Sequence, residues 1–122
     1  MRASGPSRAS GDSVVAIAAI SISPVGAGVS VSKYVAAAIA VLEAQDRVRW
    51  QLDSMFTTLE GEPADLFPLI AAMQEAVFAA GAVRVGTVIK MDERRDKAAV
   101  HMEDKVRAVE AQLAKQRRDR KP

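Results

Sequence analysis

"VRWQLDSMFTTLEGEP", residues 48–63, carries two strand signatures on either side of a turn, followed by the start of a helix. Val48, Trp50 and Leu52 alternate with Arg49 and Gln51, the period of two that gives a strand one apolar and one polar face. Asp53-Ser54 supplies a tight turn, and Met55–Glu60 returns as a second strand. Gly61 breaks that strand, and Pro63 suits the first turn of a helix, where its missing N–H costs nothing. The stretch therefore reads as a β-hairpin leading into a helix. It also places two threonines and a carboxylate, Thr57, Thr58 and Glu60, where a small core has little use for them.

Upstream, Val14–Ser23 is a β-branched run, apolar on both faces and bounded by Pro24 and Gly26, the pattern of a central strand. A loop over residues 24–30 leads to Ser32, whose hydroxyl suits a helix N-cap. In that helix Val35, Ala38, Ile39 and Leu42 recur at helical spacing, so one stripe is buried. Downstream, the helix opened by Pro63 has its stripe at Leu66, Ile70, Met73 and Val77, and Gly81 ends it where a left-handed residue is needed. Val83, Val85, Thr87, Ile89 and Met91 alternate as a fourth strand. A charged loop, DERRDKA, precedes a last helix with Met102, Val106, Val109 and Leu113 on one stripe. The order is βαββαβ plus a C-terminal helix. Right-handed crossovers fold that order into an α+β, ferredoxin-like sandwich, with a four-stranded antiparallel sheet under two helices and strands one and three at its centre.

The 122 residues support a single domain, expected over residues 14–118 between a disordered tail at 1–13 and a frayed basic end at 119–122. A net charge of +2 is mild, and the absence of cysteine removes disulfides and thiolate metal sites. The only histidine, His101, has no metal-ligand partner at useful spacing and reads as an exposed helix-start residue. The apolar run from Val14 has the length of a signal-peptide core but no convincing cleavage site, and it is too short to span a bilayer. A cytoplasmic protein with no membrane partner is expected.

Four segments in order carry a family likeness: "AAISISPVGAG" at 18–28, "SVSKYVAAAIAVLEAQ" at 30–45, "MFTTLEGE" at 55–62 and "AVRVGTVIKMDERRDK" at 82–97. "MEDKVRAVEAQL" at 102–113 fits as the closing helix. The chain thereby resembles the small thiamine-binding proteins of the YkoF-like group. The resemblance implies a ferredoxin-like subunit that forms homodimers or homotetramers and binds thiamine (vitamin B1) or a related pyrimidine such as hydroxymethylpyrimidine, without a cofactor and without catalysis. Many members have Met-Gly-Thr where this chain has Met55-Phe56-Thr57, so Phe56 fills space beside the strand that the family's glycine leaves empty.

Strand alternation gives its own account of the unusual polar residues. With Val48, Trp50 and Leu52 toward the helices, Phe56, Thr58 and Glu60 fall on the open face of the sheet, and Thr57 falls with the helices. Strand one adds Ser21 and Ser23 to the open face beside Val15, Ile17 and Ala19, and strand four adds Gly86, Val88 and Lys90. An uncovered apolar patch of that kind marks an interface, so two subunits are expected to stack sheet to sheet and enclose the polar half as a pocket. The candidate ligand-binding residues are Ser21, Ser23, Phe56, Thr57, Thr58, Glu60 and Lys90, with no catalytic or metal-binding residue. Hydroxyls donate or accept, a carboxylate meets a heterocyclic cation, and an aromatic ring stacks on it.

Each feature also has a duller reading. Threonine favours strands, Ser21 and Ser23 satisfy local backbone, and Glu60 ends a strand or faces a helix N-terminus. The run KMDERRDK alternates in sign and reads as a solvated, salt-bridged loop between subunits, or as a phosphate receiver if the ligand is phosphorylated. An enzyme lacks a nucleophile–base pair here. RNA binding would need more than one platform ring on the central strands. The remaining alternative is a structural or regulatory oligomer that senses another small metabolite.

Overall fold

A computed structural model describes residues 14–97 and 100–121 of the chain, so the tail expected at 1–13 lies outside the described residues. The elements run β1 (Ala16–Pro24), α1 (Ser32–Glu43), β2 (Arg49–Leu52), β3 (Thr57–Gly61), α2 (Pro63–Ala79), β4 (Val85–Glu93) and α3 (Met102–Asp119). The four strands form one antiparallel sheet in the order β2-β3-β1-β4, which is the ferredoxin-like α+β arrangement with an added C-terminal helix.

The core lies between the sheet and the first two helices. Ala16, Ala18, Ile20 and Ile22 of β1 and Leu59 of β3 meet Tyr34, Ala38 and Leu42 of α1 and Leu66, Ile70, Met73 and Val77 of α2. The α2 stripe is the one its spacing predicts, because four apolar residues three or four apart leave a helix no other face to bury. Gly81 ends α2 with φ at +117°, a conformation that a Cβ would strain.

Several boundaries differ from expectation. Val31, not Ser32, caps α1, and its carbonyl accepts from Tyr34 and Val35 N–H at 2.9 and 3.1 Å. The β2–β3 hairpin turns over Asp53–Phe56, closed by Asp53 N–H donating to the Phe56 carbonyl at 3.1 Å. Met55 and Phe56 therefore belong to the loop, and β3 starts two residues later than the alternation implied. Met55 is thrown out to 78% exposure, where no strand partner holds it. β4 starts later and runs on through Glu93, since Ala16 of the long central strand supplies a partner for it. α3 continues through Arg117 and Arg118, whose charges favour the negative end of its dipole.

The open face is partly covered by the chain itself. The first turn of α3 lies against the sheet at Glu60, across a cleft from Ile17, while no residue of α3 is buried. Val106 and Val109 are 59% and 60% exposed, an apolar stripe that the described residues do not cover.

Candidate functional site

The register of the sheet arranges the open face in rows. One row is Arg49, Glu60, Ile17 and Asp92; the next is Gln51, Thr58, Ala19 and Lys90. Ser21 pairs with Val88, and Ser23 pairs with Gly86. Alternation thus holds for the predicted face of each strand residue. Thr58 and Lys90 flank Ala19 from opposite sides, about 10 Å apart at the usual strand spacing.

A cleft of about 240 Å³ opens where the hairpin loop meets β1 and α1. It brings together Ser21, Ser23, Phe56 and Thr57 with Asp53 and the apolar side of α1 around Val35 and Ile39. The cleft exists because β3 pairs with β1 only as far as Ile20 opposite Thr57, leaving the remainder of β1 without a neighbouring strand on that side among the described residues. A second cleft, of about 590 Å³, lies between the open face and α3, lined by Ile17, Gln51 and Thr58 on the sheet and by Met102, Val106 and Glu110 on the helix. Asp53 lines both clefts. Lys90 is exposed on the open face.

Glu60 is placed differently from the other candidates. It is 4% exposed, and both its oxygens are engaged within the chain. Met102 N–H donates to Oε1 at 2.8 Å, the Nδ1 of His101 lies 2.7 Å from Oε2, and Arg49 Nη1 reaches both oxygens at 3.1 and 3.0 Å. Burial alone would push this carboxyl up, but the hydrogen bonds from Met102, His101 and Arg49, with the guanidinium charge, hold it below its ordinary value. Arg49 also binds Glu103 at 2.5 Å, and that hydrogen bond, foremost among the causes, draws the Glu103 carboxyl down to about 2. The group thus fastens the start of α3 to the sheet. The duller reading of Glu60 as the partner of a helix N-terminus describes its contacts, although the helix is α3 rather than the α2 that follows it in sequence.

His101 caps α3, with Asp104 accepting from its backbone N–H at 2.9 Å. In the charged loop Arg94 pairs with Asp96 at 2.5 Å and Arg95 with Glu93 at 2.6 Å, while Lys105 of α3 pairs with Asp92. These ion pairs are within the chain. Asp53 is the residue that sequence reasoning passed over. It reads in sequence as turn chemistry, and one of its oxygens does accept from Ser54 N–H at 2.7 Å. Nothing in the sequence says that the turn overhangs two clefts.

A family model described as thiamine-binding protein matches residues 18–110. The UPF0045 protein YqgV of Bacillus subtilis is 43% identical over 103 residues, spanning 81% of this chain and 98% of its own. A UPF0045 protein of Methanothermobacter thermautotrophicus is 40% identical over 79% of this chain and 97% of its own. Among solved structures, a hypothetical protein of Methanocaldococcus jannaschii superposes with a TM-score of 0.71 at 35% identity, over 78% of this chain and 95% of that one. A Thermotoga maritima protein whose proposed role is thiamine biosynthesis or salvage superposes at 0.66 over 78% of this chain and 98% of that one; at 16% identity it speaks for the fold alone.

Proposed function

This chain belongs to the thiamine-binding protein family, and we propose that it binds thiamine or a related pyrimidine non-catalytically, as a cytoplasmic homo-oligomer. The observation that carries this reading is the position of Asp53 between the two clefts. Thiamine has two rings, an aminopyrimidine and a cationic thiazolium. The smaller cleft offers the Thr57 hydroxyl and the Phe56 ring to the first, and the larger cleft is of ordinary ligand-pocket size. A carboxylate at their junction meets the charge that lies between. Glu60 is already neutralised by Arg49 and engaged by α3, so Asp53 takes the role in which Glu60 was expected.

Isothermal titration of the intact chain with thiamine is expected to show saturable binding, and Asp53→Asn is expected to weaken it about tenfold, or about 1.4 kcal/mol. Absence of heat and of any thermal shift with thiamine, its phosphates or hydroxymethylpyrimidine would remove the assignment. An oligomer without such binding would favour the structural or metabolite-sensing alternative. Catalysis finds little support in the side chains: the chain has no cysteine, and its single histidine is engaged with Glu60 and caps α3.

The exposed stripe of α3 and Val88 on the open face, 54% exposed, support association with a second copy. Val109→Asp puts a charge into that stripe without touching the core. Sedimentation is expected to give a multiple of 13.0 kDa for the wild type and a species near 13.0 kDa for the variant. A wild-type monomer at micromolar concentration would contradict the oligomer. No helix among the described residues is long and apolar enough to cross a membrane.

A further inference from the structure

The end of β1 offers a free backbone edge inside the smaller cleft. Val25 N–H donates to the Arg84 carbonyl at 2.8 Å, one step beyond the Pro24–Val85 pair, and the β1–β4 register runs without a bulge from Ala16 to Pro24. Backbone groups alternate sides along an antiparallel strand. Ser21, Ser23 and Val25 therefore aim their N–H and C=O groups at β4, and Ile20, Ile22 and Pro24 aim theirs at β3. Yet β3 pairs only as far as Ile20. The N–H and C=O of Ile22 face the gap, with no strand among the described residues beside them. Pro24, the next residue of that parity, has no N–H to lose, which is where a proline is tolerated in a sheet.

Ile22 is 7% exposed and lines the cleft. A buried backbone donor and acceptor without a strand partner call for another partner. The geometry points to the Ile22 N–H and C=O as the pair that reads the hydrogen-bonding edge of an aminopyrimidine. This rests on the reading above and fixes which half of the ligand enters the smaller cleft. An aminopyrimidine presents a ring nitrogen that accepts beside an amine that donates, complementary to one residue of a strand edge. The cleft volume, about 240 Å³, falls below the range of about 300–1,000 Å³ typical of sites for larger ligands, so it suits one ring and excludes two. The cationic ring then lies outside, past Asp53.

The test uses the intact chain, its backbone amides observed by nuclear magnetic resonance and hydrogen exchange. The probes are 4-amino-5-hydroxymethyl-2-methylpyrimidine and its 4-oxo counterpart, which reverses the donor and acceptor. Without ligand, the Ile22 amide is expected to exchange faster than those of Ile20 and Ser23, the first of which pairs toward β3 and the second toward β4. The amino compound is expected to slow the Ile22 amide at least tenfold and to bind at least tenfold more tightly than the oxo compound. An Ile22 amide that ignores a ligand bound elsewhere on the chain, equal affinity for both probes, or an Ile22 amide already protected in the free protein would each overturn the inference while leaving thiamine binding intact. Failure of thiamine and both pyrimidines to bind would remove the functional reading itself, and this inference with it.

Discussion

Leu59→Ala is expected to cost the protein about 3–4 kcal/mol of stability, within the range for leucine truncation in a core. Leu59 is 0% exposed, sits on β3 between Ala18 of β1 and Trp50 of β2, and belongs to the cluster built with Leu66, Met73 and Val77. The size of the effect follows from the neighbours. Ala16, Ala18 and Ala38 line the same core and have no atoms to swing into a void, so the cavity persists. Chemical denaturation followed by Trp50 fluorescence measures the loss directly, because Trp50 pairs with Leu59 across the hairpin. A loss below about 1 kcal/mol would mean that this core collapses around the deletion, contrary to its alanine-rich packing.

Glu60→Gln is expected to release α3 from the sheet, at a cost of about 2 kcal/mol in charge-assisted hydrogen bonds. The side chain of Arg49 is 54% exposed, so water screens its share, and most of the effect comes from the contacts with Met102 and His101. The same logic fixes the pH dependence. The folded carboxyl titrates below its ordinary value of 4.5, so the clasp is complete above that value and is lost as pH falls through the folded value. Glu103, drawn down to about 2 by Arg49, follows the same sign further into acid. The Met102 amide reports this: in the wild type it should be protected from exchange at neutral pH and lose protection only in acid, as pH falls below the ordinary carboxylate range, whereas in the glutamine variant protection should be weak throughout. Equal protection in both proteins at neutral pH would show that α3 is held by something other than this carboxylate.

Both predictions concern the strand that carries Thr57 and Thr58, and they separate two roles that lay together in "MFTTLEGE". Leu59 holds the strand to the helices. Glu60 holds α3 over the face that Thr58 shares with Gln51, forming one wall of the larger cleft. A ligand in that cleft would touch α3 as well as the sheet, so loosening α3 by acid or by Glu60→Gln is expected to weaken thiamine binding even though Glu60 is engaged within the protein.

What the sequence determined by itself was periodicity and its consequences. Alternation in β1 and β4, the stripe of α2 and the left-handed Gly81 are local properties, set by strand pleat, helix pitch and the steric demand of one backbone angle. With element order and handed crossovers they lead to the sheet order β2-β3-β1-β4 and the face on which each strand residue stands. Tertiary structure decided which polar groups already have partners. Glu60 meets His101 and Met102, 41 and 42 residues away, and no local pattern encodes that meeting. The late start of β3, which opens a cleft under Asp53 and frees the edge of β1 at Ile22, likewise depends on how a four-residue loop closes against α1. Side-chain chemistry can be read along the chain, but whether a charge or a backbone amide remains available to a ligand is settled by what the fold brings to its side.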